Sequence, residues 1–387
     1  MRYLDRDLGR QIRKAAGNFP ALLLTGPRQS GKTTLLRHLF RSASYVLLED
    51  PDVVARVQSD PRGFLDDLST PVILDEIQNA PQLLSYIRTR IDAAPRRRGQ
   101  WLLTGSQEAP LMRGVSESMA GRAAVLQLLP MSTRESAKVS LLRGGYPGVL
   151  DRPSTADLWF RSYLQTYLER DVRAVTAVKD LSTFRRFLAL LASRHGNILN
   201  RTDIAAPLGV SVPTVSEWLS VLEVTGQIML VPPYFENFGK RLIKSPKIYF
   251  SDSGLACHLL RIDTLAVLRK SPVYGALFEG FVASEIAKLQ LNAGRRLELY
   301  YFRDQQGLEV DFVVPQATRK LLLIEAKATR TPTPAMTKSL QRLRASIEGY
   351  RTTAALVHAG VERSHAGRTI VPGVSALSLP ALLDELD

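Results

Sequence analysis

Eight residues near the start of the chain, Gly26-Pro27-Arg28-Gln29-Ser30-Gly31-Lys32-Thr33, have the types and spacing to hold a polyphosphate. They follow the apolar run Ala21-Leu22-Leu23-Leu24 and precede Thr34-Leu35-Leu36-Arg37-His38-Leu39, so they read as strand, glycine-bracketed loop and helix. Such a loop turns its backbone N–H groups inward, and the helix that starts there adds its positive dipole end. Gly26 and Gly31 permit backbone angles and a close approach that a Cβ would block. The expectation is that residues 26 to 34, Thr34 included, cradle ATP, with Lys32 at the β- and γ-phosphates and Thr33 on Mg²⁺. The bland alternative is a chance turn before a buried helix.

Phosphoryl transfer to water also needs carboxylates. Pro71-Val72-Ile73-Leu74-Asp75-Glu76-Ile77-Gln78 reads as an apolar strand ending in two of them. Neighbours at a strand end diverge, so Asp75 is assigned to Mg²⁺ and Glu76 to activation of the attacking water. A further strand, Gln100-Trp101-Leu102-Leu103-Thr104-Gly105-Ser106, ends in small polar residues. Ser106 there is a candidate to sense the γ-phosphate or orient the water, or only a strand-end turn. Arg122, where a helix gives way to a strand, is a candidate charge stabiliser for a neighbouring subunit's nucleotide. Arg113 is its rival, and a plain surface arginine is the alternative for either.

A second constellation lies near the other end. Asp311 on one strand and Glu325-Ala326-Lys327 on the next form a metal-nuclease pattern. Glu325 and Lys327 share a strand face because side chains alternate with period two. Asp311 and Glu325 would hold Mg²⁺, Glu279 on the preceding helix would complete the cluster, and Lys327 would orient water or stabilise phosphate charge. The alternative is a structural Asp beside an ion-paired Glu–Lys on an edge strand.

The elements that must position these groups are legible in outline. At 387 residues the chain exceeds one small core, and 45% hydrophobic against 23% charged residues mark it as globular. An amphipathic helix over residues 1–19 should precede the first strand, with a second strand at 44–50 and a helix from Leu83 to Ala93. Alternating strands and helices argue a parallel, doubly wound α/β sheet with its ligand at the strands' carboxyl ends. The breaker cluster Leu142-Arg143-Gly144-Gly145-Tyr146-Pro147-Gly148 suggests a hinge or a domain boundary. Residues from Pro153 to Arg194 have helical spacing and suit a lid, with Arg170 and Arg173 as further candidate ATP contacts or as partners of Asp171.

From His195 to Pro233 the spacing is that of a helix-turn-helix, with wing strands at 227–231 and 247–250. Ser211, Thr214 and Ser216 open the second helix, and Lys240, Arg241, Lys244 and Lys247 make the wing basic. With 51 Lys and Arg against 37 Asp and Glu, a net +14, nucleic acid is the simplest partner, DNA before RNA, and a soluble basic protein from an arginine-rich proteome is the alternative that charge alone leaves open. Arg, Asn and Gln are scarce on the second helix, so backbone or shape binding is expected over base reading. A winged helix used only for protein packing is the alternative, as a solvated turn is for Arg96-Arg97-Arg98. A single cysteine, Cys257, allows no intramolecular disulfide and fits a reducing cytoplasm. The charged N-terminus lacks a signal peptide's apolar core, and no apolar run is long enough for a membrane span.

In the order of its motifs the chain resembles the AAA+ ATPases: phosphate loop, D-E strand, T-G-S strand, then G-R before the last strand. More narrowly it is similar to prokaryotic AAA-superfamily ATPases that carry a C-terminal domain of unknown function. The phrases T-G-P-R-Q-S-G-K-T-T-L, L-D-E-I-Q, L-L-T-G-S and A-G-R carry that resemblance, which covers essentially the whole chain. It implies a homo-oligomer, with a ring as one form, ATP near subunit boundaries, Ser106 as first sensor and Arg122 as the trans-acting finger. The C-terminal third resembles the PD-(D/E)xK nuclease fold through Glu279, Asp311, Glu325 and Lys327, with Val310 where the pattern has proline. The expected organisation is an AAA-type P-loop domain over 1–142, a helical lid over 143–194, a winged helix over 195–256 and a restriction-endonuclease-like α/β domain over 265–387.

Overall fold

The computed structural model describes residues 3–105, 118–168, 181–234, 244–360 and 368–387. The chain divides into two compact units. One comprises Met1–Met131, Val221–Gln227 and Leu291–Arg295; the other comprises Ser132–Ser220, Ile228–Gln290 and Arg296–Asp387.

The first unit is built on β1 (Ala21–Thr25), β2 (Ser44–Leu47), β3 (Val72–Asp75), β4 (Trp101–Thr104) and β5 (Ala123–Gln127), all parallel in the order β2-β3-β4-β1-β5. Side-chain alternation sends Leu22 and Leu24 into one layer with Ile12 of helix Gly9–Asn18 and Leu35 and Leu36 of helix Lys32–Leu39. It sends Ala21 and Leu23 to the opposite layer with Phe64, Leu83 and Ile87. Helices therefore cover both faces, as continuously apolar parallel strands require. The helix Leu83–Ala93 stands where its spacing put it. The N-terminal helix is shorter than expected and begins at Gly9. The residues before it serve another purpose: Arg6 donates to the carbonyls of Ser30 at 2.8 Å and Leu129 at 2.7 Å, bracing the phosphate loop from beneath.

In the second unit, helices Ala156–Tyr163 and Leu181–Ser193 fall in the expected helical stretch, and Arg170, Asp171 and Arg173 lie outside the described residues. The breaker cluster is pinned rather than loose: Gly144 has φ +67°, and the Gly145 amide donates to Asp252 Oδ2 at 2.7 Å. Helices Arg201–Leu208 and Val212–Val224 follow, the first capped by Asn200 and closed by Gly209 at φ +67°. β6 (Ile228–Val231) and β7 (Lys247–Phe250) pair antiparallel. The basic wing is not borne out at Lys247, which is 2% exposed and faces inward. Lys244 is exposed, and Lys240 and Arg241 lie outside the described residues.

A six-stranded mixed sheet completes the unit. Its strands are β8 (Tyr300–Arg303), β9 (Glu309–Ala317), β10 (Lys320–Lys327), β11 (Arg351–His358), β12 (Arg368–Val371) and β13 (Val374–Ser378), in the order β12-β13-β11-β10-β9-β8. Helix Lys338–Ser346 sets Leu340 and Leu343 on Val310, Val313, Leu321 and Leu323. No helix among the described residues is long and apolar enough to cross a membrane.

Candidate nucleotide site and a carboxylate cluster

β1 delivers the chain at its carboxyl end into the glycine-bracketed loop. Gly26 has φ +136°, and a Cβ there would sit 2.2 Å from the Leu128 carbonyl oxygen, so side chain and backbone angle both exclude other residues. Gly31, at φ +96°, turns the chain into helix Lys32–Leu39. The Lys32 ammonium donates to the carbonyls of Gly26 at 2.9 Å and Pro27 at 3.0 Å, folding back across the loop that its own helix closes.

Thr33, one residue on, meets the end of β3. Its hydroxyl lies 2.8 Å and 3.0 Å from the two oxygens of Asp75. Asp75 is 4% exposed, and hydroxyls from both neighbouring strands hold its carboxylate. Tyr45 on β2 donates to Oδ2 at 2.9 Å, and Thr104 on β4 donates to Oδ1. Thr104 also accepts the Glu76 amide at 3.2 Å, tying the two-carboxylate corner to β4. Glu76 occupies the left-handed region at φ +57°, a conformation that costs a non-glycine residue roughly 1–2 kcal/mol. Its carboxylate has partners of its own: Gln78 donates to Glu76 Oε2, and Arg28 lies 3.7 Å from Oε1 and 3.9 Å from Glu49. A hydroxyl and a carboxylate in contact are the hard-oxygen pair that Mg²⁺ takes beside a triphosphate, so these residues fit the metal.

Thus Lys32, Thr33, Asp75 and Glu76 gather at one end of the sheet. Arg28 turns to the carboxylates of Glu76 and Glu49. Arg122 forks onto Asp92, Nε at 2.6 Å and Nη2 at 3.0 Å, and this bond holds the Asp92 carboxyl below its ordinary range. Ser106 and Arg113 lie outside the described residues. Tyr45, Thr104 and Gln78 were not singled out from sequence. Only Thr104 carried a local signal, as a polar residue ending an apolar strand.

The second constellation also assembles, with an addition. Glu325 and Lys327 share a face of β10, Lys327 Nζ lying 2.6 Å from Glu325 Oε1. Asp311 on β9 accepts the Ala326 amide at 2.9 Å and stands 4.0 Å from Lys327. Between Asp311 and Glu279 of helix Tyr274–Asn292 lies Lys247, whose ammonium is 2.9 Å from Glu279, 2.6 Å from Glu309 and 3.7 Å from Asp311. Tyr249, two residues along β7, donates to the same Glu279 oxygen. Burial, and then the neighbouring Asp311 charge, push the Glu279 carboxyl up to about 7 and that of Glu325 to about 8. Among the described residues, no three His, Cys, Asp or Glu side chains gather in a group that could hold a metal ion.

Comparison with known proteins follows this geography. A model of the AAA domain matches residues 18–137, and two domains of unknown function, DUF8612 and DUF4143, match residues 134–266 and 274–382. Among solved structures, a Walker-type ATPase of Pyrococcus abyssi is 18% identical, with a TM-score of 0.47 over 66% of this chain and 96% of that one. A signal-transduction ATPase with a tetratricopeptide-repeat sensor from Pyrococcus horikoshii is 12% identical, with a TM-score of 0.24 over 76% of this chain and 50% of that one. The uncharacterized proteins Rv2008c of Mycobacterium tuberculosis and Mb2031c of Mycobacterium bovis are each 34% identical over 374 residues, 95% of this chain and 82% of theirs. With that likeness running nearly end to end, and an AAA domain leading into DUF4143, the chain belongs to the family of AAA-type ATPases that carry a C-terminal domain of unknown function.

Proposed function

We propose that the chain is an ATP-hydrolysing homo-oligomer that couples nucleotide turnover to DNA binding. The observation that supports this reading best is the contact of Thr33 with Asp75 beside the Lys32-closed glycine loop. Mg²⁺ bound there would neutralise charge on the β- and γ-phosphate oxygens. The chain's own groups do the rest. Loop amides and Lys32 bind the phosphates, and Thr33 and Asp75 orient the metal's shell. Glu76 takes the proton of the attacking water, and Gln78 and Arg28 fix where its carboxylate points. In this reading Arg122 leaves Asp92 to reach a neighbouring subunit's nucleotide, and Ser106 senses the γ-phosphate. The net charge of +14 and the hydroxyl-bearing start of helix Val212–Val224 support DNA backbone contact, with affinity falling steeply as salt rises.

The test is steady-state ATP hydrolysis by the full chain with Mg²⁺. Lys32→Ala and Glu76→Gln should each lower kcat by at least about a hundredfold, the size of loss seen when one transition-state contact is removed. Glu76→Gln should still bind ATP. No hydrolysis by the parent, or full activity in Lys32→Ala, overturns the reading. Duplex DNA that fails to bind at low salt removes the coupling. A second reading, an ATP-gated scaffold that holds DNA without cutting it, is favoured by one observation: the lysine lodged among the carboxylates of the C-terminal cluster.

A further inference from the structure

We propose that the ammonium of Lys247 is the resident cation of the C-terminal carboxylate cluster, so that this site takes no divalent metal. The proposal deepens the scaffold reading and is independent of ATP turnover. Glu279, Asp311 and Glu325 are the residues that a nuclease of this pattern would use for Mg²⁺. Here two of the three already face the Lys247 ammonium, and Glu325 faces Lys327. Lys247 Nζ sits 2.9 Å from Glu279, 2.6 Å from Glu309 and 3.7 Å from Asp311, with the Tyr301 ring centroid 5.6 Å away. Only 3% of its side chain is exposed, so the charge is not free to swing into solvent.

Other oxygens of the cluster have partners as well, while Glu325 Oε2 is buried without a hydrogen-bond partner among the described residues. Glu279 Oε1 also accepts the Tyr249 hydroxyl, so strand β7 supplies two groups, at positions i and i+2, to one carboxylate oxygen. Asp311 Oδ2 accepts the Ala326 amide, and Glu325 Oε1 is 2.6 Å from Lys327. A divalent ion placed among these carboxylates would lie within a few ångströms of a buried ammonium, and like charges in a poorly solvated site repel strongly. It would also compete with the Lys247 ammonium for the oxygens of Glu279 and Asp311. The cluster is therefore closed by charge from within the chain, and what it does is fasten β7 to the mixed sheet.

Mn²⁺ binding, followed by electron paramagnetic resonance on the full chain without nucleotide, reads this directly. The parent and Asp311→Asn should bind the same number of ions, because none sits in the cluster. One ion fewer in Asp311→Asn overturns the proposal. Lys247→Met keeps an unbranched side chain one atom shorter and removes its charge. It should bind one Mn²⁺ more per chain than the parent, and Asp311→Asn in that background should abolish the gain. A folded Lys247→Met that binds no additional ion also overturns it. Should Lys247→Met not fold, the comparison of parent with Asp311→Asn still decides. If the parent fails to hydrolyse ATP, the function proposed above falls while this ion count stands, and an ion lost with Asp311 does the reverse.

Discussion

Tyr45 donates to Asp75 Oδ2 at 2.9 Å while the Arg37 guanidinium lies 4.8 Å from the centre of its ring. Burial, and then the bond to Asp75, push the phenol up to about 12, so it remains a donor at any working pH. The carboxylate has two degrees of freedom that matter to a metal, its position and the rotation of its oxygens. The backbone of β3 sets the first, and hydroxyls from β2 and β4 set the second. Tyr45→Phe keeps the ring beneath Arg37 and removes only the bond. A hydrogen bond to a charged acceptor contributes about 1.5–3 kcal/mol, part of which should appear as a Mg²⁺ requirement raised by about tenfold. Mg²⁺ titration of ATP hydrolysis at saturating nucleotide checks this, and an unchanged half-saturation would mean that Tyr45 does not orient Asp75.

Between elements, the buried imidazole of His195 plays a comparable part. Its Nδ1 accepts the Phe250 amide at 3.1 Å, which places the proton of the neutral ring on Nε2. That edge faces Gly280, where a Cβ would come within 1.8 Å of Nε2, so helix Tyr274–Asn292 approaches this closely only because residue 280 is glycine. Burial lowers the His195 pKa to about 3. The unfolded chain takes up this proton near pH 6.5, well above the folded value. Stability from His195 is therefore full above pH 6.5 and lost as pH falls toward 3. Between pH 7 and pH 5 the loss should be about 2 kcal/mol. Urea unfolding of the parent and of His195→Leu at both pH values should show a smaller drop in the variant by that amount, and equal drops would mean that another group sets the acid limb. Up to β11, sequence showed the strands, the capped helices Arg201–Leu208 and Val212–Val224, and the phosphate loop, because their signals lie within a dozen neighbouring residues. It did not show that His195 meets Gly280, that Tyr45 meets Asp75, or that Lys247 turns inward toward residues 279, 309 and 311. Period two puts Lys247 and Tyr249 on one face of β7, but nothing local says which face is covered. Folding decides that by bringing together carboxylates far along the chain. β13 was not read for a related reason: its pairing with β11, far along the chain, is what buries it, and β12 in turn pairs with β13.

At the scale of the whole chain, the ATPase unit is not one continuous stretch. Val221–Gln227 and Leu291–Arg295 belong to it by contact, although more than 80 residues of sequence separate the first of them from Met131. Gly226, at φ +72°, lies against Pro27 of the phosphate loop, so close that a Cβ would stand 3.1 Å from the proline ring. Gly294, at φ +70°, similarly approaches Gln11 on the helix that covers β1. The first of these segments thus packs beside the loop that must hold its shape to bind phosphate, and the second packs on the N-terminal helix. A fragment ending at residue 137, where the AAA match stops, keeps all five strands, Lys32, Asp75 and Glu76 but loses both returns. We expect it to fold and to melt lower than the corresponding transition of the full chain, by on the order of 5 °C for each kcal/mol of lost packing. Its ATP affinity should fall as well, because the loop then carries the ordering cost of binding without the support at Pro27. Thermal melts of fragment and full chain, each with and without Mg²⁺-ATP, read both effects. Equal melting temperatures and equal nucleotide-induced shifts would mean that residues 221–227 and 291–295 pack on the unit without supporting its site.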